Sequence, residues 1–314
     1  MILEYKRSRE MLGEFKSLYD LMNAFPSDYH CEQHLEKIRW NGYVVSPFDE
    51  TSKVYKCKNG KYRCKNTGKY FSVKTGTMFD NTKVSLQKWF IAIWMVTSHK
   101  KGISSLQLSK DIHVTQKTAW FMLERIRRCF GSENNNELDG TVEVDETYIG
   151  GKNKNRHNSK KVKNAQGRSL KDKTPVVGMV AREGKLNAHK VSDTGIKTLT
   201  EQVVKFVKDT AQLYTDEWLG YNKVAKMYDH AFVNHGAREY VIDDIYTNTI
   251  EGFWAGLKRG VLGIYHSWSK KHLQDYVDEF VFRYNTRSMA DNDRFNLLLA
   301  SSGVRTKYKE LIHG

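Results

Sequence analysis

The stretch Thr141–Gly151, TVEVDETYIGG, constrains the fold of this chain more than any other part of the sequence. Val142 and Val144 alternate with Glu143 and Asp145, and this period of two predicts a short strand with one apolar and one acidic face. The strand ends at a Gly-Gly pair and a long basic run follows. A carboxylate at the end of a core strand beside a polycationic segment is an unusual combination, and two later segments add further acids.

The overall charge of the chain favours a polyanionic partner. There are 51 Lys and Arg residues against 36 Asp and Glu, a formal net charge of +15 in 314 residues. The length suits two or three domains, one of them with a sizeable core. The N-terminus is charged and the longest apolar run is Trp89–Val96, so we expect no signal peptide and no membrane span. Four cysteines indicate a reducing compartment, and the expected location is cytoplasmic and nucleoid-associated.

Residues 1–82 are predicted to form an N-terminal helix and a zinc-ribbon-like module. Cys31 and His34 make a C-x-x-H pair, and Cys57 and Cys64 flank an Asn-Gly dipeptide. In the two-residue type I′ turn that Asn-Gly favours, the last two cysteines lie on one face of a hairpin as diagonal neighbours. The four side chains would then complete a tetrahedral zinc site in a ribbon with little core of its own. The alternative is a set of buried thiols with one surface histidine.

Residues 83–135 are predicted to be helical and to contain a helix-turn-helix. The segment SSLQLSKDIHVTQKTAWFMLERIRR favours two helices about a short turn, with Thr115 as the N-cap of the second. In that motif Gln116, Lys117 and Trp120 would face the major groove of DNA. The same pattern is typical of a plain helical hairpin, but three arginines near its end favour DNA binding. These arginines are Arg125, Arg127 and Arg128.

The basic run Lys152–Lys173 contains nine Lys or Arg residues and one acid. We expect a mobile loop that becomes ordered on phosphate groups, and the alternative is a solvated insertion. The side chains predicted to contact DNA here are Lys152, Lys154, Arg156, Lys160 and Lys161.

Residues 136–290 are predicted to form an α/β domain. Strands are expected within 141–151 and at 174–181, 186–191 and 212–215, with a helix at 198–210, a short helix near 221–228 and a further helix from 248. This order suits a layered fold with a central mixed sheet. Residues 291–314 are predicted to be a helical tail.

Three acids on separate elements form the candidate site. Asp145 and Asp216 each end a predicted strand, and Glu251 follows 35 residues after Asp216, near the start of a helix. On that helix Asn248, Glu251 and Lys258 share one narrow face, and the opposite side is apolar. Clustered carboxylates repel one another unless cations neutralise them, and open oxygen-rich sites suit Mg²⁺ or Mn²⁺. The alternative is that these acids are ordinary surface residues at the ends of strands and helices.

Two such ions, about 3.5–4 Å apart, would activate a water or a 3′-hydroxyl for in-line attack on a phosphodiester. In this hypothesis Asp145 bridges the ions, because the central strand is the most rigid element. Asp216 and Glu251 would each hold one ion, and Lys258 would contact a phosphate.

The motifs VEVDETYIGGK, LYTDEW-x-GY and YTNTIEGFWAGLKRG-x-x-G-x-YH, followed by DEFVFRYNTR, resemble the transposases of the IS1595 insertion-sequence family, the ISXO2-like group. KGISSLQLSKDI-x-V-x-x-KTAW resembles the helix-turn-helix of these proteins, so the resemblance covers most of the chain. It implies an RNase H-like fold with a DDE-type triad at Asp145, Asp216 and Glu251. Because some members carry Asn as the third residue, Asn248 is the alternative to Glu251. The chain departs from the paired C-x-x-C knuckles of the family, with His34 and Thr67 at two of those positions.

The expected fold is therefore α/β: an RNase H-like mixed-sheet catalytic domain preceded by a zinc-ribbon-like module and a helical helix-turn-helix region. The resemblance implies a DNA transposase that binds terminal inverted repeats, frees a 3′-hydroxyl at the element's end and joins it to target DNA. Its expected cofactors are Mg²⁺ or Mn²⁺, with Zn²⁺ in the ribbon. Pairing two ends implies a homo-oligomer on DNA. The alternatives are a catalytically inactive or domesticated DNA-binding protein and a nuclease that cuts without joining.

Overall fold

The chain folds into two compact units in a computed structural model. One unit spans residues 1–130 and 288–314, and the other spans residues 131–287. The predicted C-terminal tail therefore groups with the N-terminal segments. The residues that the structure describes are 14–58, 60–151, 157–163, 169–233, 246–266 and 268–313.

Ten helices and eight strands are numbered here along the described part of the chain. The helices are α1 (Leu18–Ala24), α2 (Asp28–Trp40), α3 (Leu86–Ser98), α4 (Ser105–Asp111), α5 (Gln116–Arg127), α6 (Ile196–Phe206), α7 (Asn248–Gly260), α8 (Leu273–Asn285), α9 (Asp291–Ala300) and α10 (Tyr308–His313). The strands are β1 (Val54–Lys56), β2 (Tyr62–Cys64), β3 (Tyr70–Phe71), β4 (Thr141–Ile149), β5 (Thr174–Ala181), β6 (Leu186–Lys190), β7 (Gln212–Asp216) and β8 (Asp229–Val233).

The first unit is built around α3, whose residues are apolar nearly all round. Trp89, Phe90 and Ile93 are buried, as expected for a core helix, and α3 packs against α1, α2, α5 and α9. The ring of Phe90 contacts the rings of Phe25 and Phe295 at centroid distances of 4.9 and 5.3 Å. Aromatic packing therefore joins the C-terminal helices to this core.

The small antiparallel sheet β1–β2–β3 belongs to the same unit. Lys56 pairs with Tyr62 and Val54 pairs with Cys64, one residue away from the register expected of a two-residue turn. The Cys57 N–H donates to the carbonyl of Lys61, so three residues form the loop. The predicted type I′ turn is wrong.

The second unit contains a five-stranded mixed sheet in the order β6–β5–β4–β7–β8. The pairs β4–β5 and β5–β6 are antiparallel, whereas β4–β7 and β7–β8 are parallel. Helix α6 packs on one face through Leu199, Val203 and Phe206. Helices α7 and α8 cover the other face, so the mixed α/β fold that the sequence predicts is confirmed.

Element boundaries in this unit differ from the prediction at several points. The predicted helix at 198–210 is observed at Ile196–Phe206, and the short helix expected near 221–228 is two 3₁₀ turns, Leu219–Tyr221 and Val224–Lys226. Helix α7 continues into one π-helical turn at Val261–Tyr265. No helix in the described part of the chain is long and apolar enough to span a membrane.

Candidate active site

The candidate site lies where β4 and β7 stop pairing. These neighbouring strands are parallel, and their last pair is Glu143 with Tyr214. Asp145 and Asp216 both follow that pair by two residues, so two adjacent strands carry them past the end of the same ladder. Asp216 ends β7 as predicted, whereas Asp145 lies in the middle of β4, which continues to Ile149 beside β5.

Three carboxylates converge at this point. Oxygen atoms of Asp145, Glu146 and Asp216 all lie within 4.8 Å of one another. Glu146 was not predicted as a site residue from the sequence. Its Oε2 accepts a hydrogen bond of 3.0 Å from the hydroxyl group of Tyr221. Three hard oxygen donors at this spacing fit a divalent cation such as Mg²⁺ or Mn²⁺.

The electrostatics of the group also favour a cation. Burial raises the pKa of Asp145 to about 7, and the negative charges of Glu146, Asp216 and Glu251 add to the effect. A carboxyl group that resists ionisation beside two other acids is stabilised in its charged form when a metal ion binds. The donor set and its charge therefore both fit a divalent cation.

Glu251 lies in the first turn of α7 and its side chain is exposed. Its Oε1 accepts a hydrogen bond from Oγ1 of Thr247 at 3.2 Å. Glu251 is not part of the three-carboxylate group, but its charge contributes to the raised pKa of Asp145. Asn248 and Lys258 are also exposed on α7, and the opposite side of the helix is buried through Ile250, Phe253, Trp254 and Leu257.

The predicted zinc ligands are not assembled among the described residues, where no group of three potential metal ligands includes a cysteine. The shifted hairpin register explains part of this, because a one-residue slip places Cys57 and Cys64 on opposite faces. His34 lies on α2 within the aromatic core, and its Nε2 is 2.8 Å from Oδ1 of Asn296. Cys31 is fully buried on the same helix.

The fully buried Cys64 has hydroxyl neighbours where a zinc knuckle would have thiolates. Burial raises the pKa of the Cys64 thiol, but hydrogen bonds with Ser46, Ser52 and Thr67 outweigh burial and lower it to about 6. Ser46 and Asp49 are joined by an isolated β-bridge, and Oδ2 of Asp49 accepts from Asn66. Hydrogen bonds between polar side chains thus connect the turns around Cys64, the role that a zinc ion has in a zinc ribbon.

The predicted helix-turn-helix residues lie on α5, whose N-cap is Thr115 as expected. Gln116 and Lys117 are exposed, although Nε2 of Gln116 donates to Ser105 of α4 at 2.9 Å. Trp120 is half-buried and its ring meets Tyr308 edge-on. DNA contact by these residues stays a prediction.

The arginine cluster on α5 does not support DNA binding in the way the sequence suggested. Arg125 is buried and donates to the carbonyl groups of Met78, Asp80 and Thr306. Arg127 is also buried and pairs with Glu124 at 2.8 Å. Their positive charge is used within the first unit, because buried carbonyl and carboxylate oxygens need donors.

The predicted basic loop is only partly covered by the structure. Lys152, Lys154 and Arg156 lie outside the described residues. Lys160 ends a 3₁₀ turn, Asn158–Lys160, and Lys161 follows with an exposed side chain.

Comparisons with known proteins find similarity to one family within the second unit and to one curated relative along most of the chain. Residues 137–285 match the model of the ISXO2-like transposase domain. An uncharacterized protein in the transposable element ISH50 of Halobacterium salinarum is 28% identical over 281 residues, which cover 83% of this chain and 92% of the relative.

Two crystal structures of the Mos1 transposase resemble the chain weakly. The pre-cleavage transpososome aligns at 11% identity with a TM-score of 0.26, covering 65% of this chain and 75% of that one. The strand transfer complex aligns at 12% identity with a TM-score of 0.27, covering 69% and 79%. A likeness at this level is too weak to define the fold.

The matched region holds the strands and the helix that carry Asp145, Asp216 and Glu251. Its family comprises transposases, which as a class cut and transfer DNA. Residues 137–285 thus match the ISXO2-like transposase family, the family that the motifs of the chain resemble.

Proposed function

We propose that this chain is a DDE-type DNA transposase with an RNase H-like catalytic domain and a site for two divalent metal ions. The observation that carries the proposal is the convergence of Asp145, Glu146 and Asp216 within 4.8 Å, just beyond the last pair of β4 with β7, in a region that matches the ISXO2-like domain. The mixed sheet, with its central strand flanked by one antiparallel and one parallel neighbour, is consistent with the proposed fold.

Asp145 is the proposed bridging ligand because β4 is the central strand and pairs along both edges. Asp216 and Glu251 would each hold a cation, from β7 and α7 respectively, with Asn248 as the alternative to Glu251. Bound Mg²⁺ or Mn²⁺ supplies activation of the attacking oxygen and stabilisation of the leaving oxygen. Lys258, two turns after Glu251 on the exposed side of α7, binds a DNA phosphate.

The proposed substrate is the end of an insertion sequence. One strand is hydrolysed to give a 3′-hydroxyl, and the same site directs that hydroxyl onto target DNA. Because two ends must be held together, we propose a homo-oligomer on DNA.

The N-terminal unit is proposed to recognise the terminal inverted repeats. Helix α5 would enter the major groove through Gln116 and Lys117. The exposed face of the small sheet offers a second surface, because residues 53–74 contain eight Lys or Arg residues and no acid. Tyr55, Arg63 and Tyr70 form one exposed cross-strand row on it.

The test of the catalytic proposal is the substitution Asp145→Asn in the full chain. We expect the variant to bind labelled end DNA as the wild type does, but to lose cleavage and joining in Mg²⁺. Asp139→Asn is the matched control, because Asp139 is an exposed acid of the same unit that pairs with Lys208. Joining of DNA ends by the Asp145→Asn variant would show that the proposed metal site is wrong.

The same assays separate the alternative functions. Wild-type protein that binds DNA but never cuts it would be an inactive DNA-binding relative, and wild-type protein that cuts without joining would be a nuclease.

The basic loop has its own test. Changing Lys152, Lys154 and Lys161 to Gln should flatten the salt dependence of DNA binding, because fewer counterions are released from the phosphates. The affinity is measured between low and moderate salt. An unchanged slope would reject phosphate contact by this loop.

A further inference from the structure

Glu143 is a fully buried carboxylate on β4, two residues before Asp145. It is not one of the clustered acids, and the proposed mechanism gives it no role. Its two oxygens accept four hydrogen bonds. Oε2 accepts the backbone N–H groups of Thr249 at 2.9 Å and Ile250 at 3.1 Å, and Oε1 accepts Oγ1 of Thr249 and Nε of Arg182, both at 2.9 Å.

These contacts place Glu143 at the beginning of α7. The first N–H groups of a helix have no partner within the helix and are usually satisfied by the side chain of the N-cap residue. Thr247, the N-cap of α7, makes no such hydrogen bond. A carboxylate from the neighbouring strand fills this role instead, and its negative charge also interacts favourably with the helix dipole.

Arg182 balances the charge of Glu143 and extends the contact. Its guanidinium lies 3.6 Å from the ring centroid of Tyr246 and 4.8 Å from that of Tyr214. One of its terminal nitrogens donates to the carbonyl of Tyr246 at 2.9 Å. A buried carboxylate that accepts from four donors, one of them a paired arginine, is well satisfied and held in one orientation.

We propose that Glu143 is a positioning residue that fixes the start of α7, and with it Glu251, relative to Asp145. The carboxylate lies on the strand that carries Asp145 and holds the backbone N–H of the residue just before Glu251. Asp145 and Glu143 lie on the same face of β4, so this one strand determines the position of Asp145 and, through Glu143, the position of the start of α7. This inference rests on the proposed function, since it concerns the third acid of the same site.

The test is Glu143→Gln in the full-length protein, with Mn²⁺ binding to the protein as the readout. The amide keeps the shape of the side chain, but its nitrogen cannot accept a hydrogen bond from an N–H group. We expect Mn²⁺ affinity to fall about 10- to 100-fold, the usual effect of losing a residue that orients a metal ligand. DNA affinity should stay unchanged. Glu133→Gln is the matched control, because Glu133 pairs with Lys185 elsewhere in the same unit.

A double-mutant comparison separates positioning from a general structural role. If Glu143 acts through Glu251, then Glu143→Gln should lower Mn²⁺ affinity no further in a Glu251→Gln background. An equal loss in both backgrounds would overturn the proposal. Thr249→Val, which removes one of the four hydrogen bonds, should give a smaller loss in the same direction and serves if Glu143→Gln does not fold.

The two proposals fail in different ways. Wild-type protein that binds no Mn²⁺ would reject the metal site itself, and this inference with it. Wild-type protein that binds Mn²⁺, with Glu143→Gln and Thr249→Val binding it equally well, would reject the positioning role and leave the proposed function standing.

Discussion

The indole Nε1 of Trp254 donates a hydrogen bond of 3.0 Å to Oδ2 of Asp145. Trp254 is buried on the apolar side of α7. Helix α7 therefore contacts the central strand β4 at two points, through its first N–H groups at Glu143 and through the Trp254 ring at Asp145. The bond restricts rotation of the Asp145 carboxylate. Oδ1 of Asp145 takes no part in this bond.

Trp254→Phe should slow metal-dependent DNA cleavage by about 10- to 100-fold. A hydrogen bond to a charged group contributes about 1.5–3 kcal/mol, and each 1.4 kcal/mol corresponds to a factor of about ten in rate. The rate of cleavage of end DNA at saturating Mn²⁺ is the measurement. Trp268→Phe is the control, since Trp268 packs against the same apolar cluster. Equal effects of the two substitutions would mean that packing, and not the bond to Asp145, is responsible.

Gly178→Ala should destabilise the protein by about 1–3 kcal/mol, the usual cost of overpacking a core. Gly178 pairs with Asp145 on β5, and a Cβ there would meet Trp254 at 2.5 Å and Ile250 at 2.8 Å. The free energy of unfolding in urea is the measurement. Gly252→Ala is the matched control on the exposed side of α7, where nothing lies within 4 Å, and should raise stability by up to about 1 kcal/mol. Gly178→Ala as stable as the wild type would contradict the close docking of α7.

Tyr221→Phe should weaken Mn²⁺ binding about tenfold by removing the donor to Glu146. Burial, and then the negative charges of the three clustered acids, raise the pKa of Tyr221 well above its usual value, so the hydroxyl keeps its proton and can only donate to the carboxylate. Binding is measured by titrating the protein with Mn²⁺. Tyr228→Phe is the control, because the Tyr228 hydroxyl donates to the Val207 carbonyl. Unchanged affinity in Tyr221→Phe would exclude Glu146 from the metal site.

The sheet and the position of two acids were predictable because both follow from local patterns. The run at 174–181 is apolar and bounded by polar residues, and it is observed as a strand over the same range. Asp216 ends β7, and Asp145 lies within β4, two residues beyond the last pair of β4 with β7, so the two parallel strands bring these acids together. Glu146 was missed because strict alternation assigns it to the apolar face opposite Asp145. Beyond the Glu143–Tyr214 pair, however, the strand edge is open and acids from both faces converge.

Two other features were not predicted correctly from local patterns. An Asn-Gly pair favours a two-residue turn, but Gly60, with φ of +73°, closes a three-residue loop and shifts the register of the hairpin. Arg125 belongs to a basic run typical of a DNA-binding surface. Its side chain is nevertheless buried and donates hydrogen bonds to three backbone carbonyl groups. Nothing in the sequence around Arg125 identifies the carbonyl groups that it contacts, so periodicity and composition could not predict its burial.

The ribbon should contain no stoichiometric zinc. Cys57 and Cys64 lie on opposite hairpin faces, and His34 is held by Asn296 in an aromatic core, so the predicted ligands cannot share one ion without refolding. Zinc content is measured by elemental analysis of protein purified from zinc-supplemented cells, and thermal unfolding is compared with and without a chelator. One bound zinc per chain, with a lower Tm after chelation, would contradict this prediction.

His34 should make the stability of the chain fall in mild acid. Burial lowers its pKa to about 4, from an ordinary value of 6.5, because the charged imidazolium is poorly solvated among the rings. The unfolded chain therefore binds the proton more tightly, and stability is lost progressively as pH falls from about 6.5 to about 4. The lowered pKa of His34 corresponds to a loss of about 3 kcal/mol in the free energy of unfolding at the lower end of this window.

The substitution His34→Gln removes this titration while keeping an amide that can bond to Asn296. The free energy of unfolding is measured in urea at several pH values between 7 and 4. At neutral pH the variant should be less stable than the wild type, because Gln packs less well against Phe25 and Phe295. The difference in free energy of unfolding between the wild type and the variant should decrease by about 3 kcal/mol as the pH falls to 4. His189, whose pKa burial also lowers to about 4, titrates equally in both proteins and cancels in the comparison. Parallel pH profiles would mean that His34 is not buried in its neutral form, and would reopen the case for a ligand at this position.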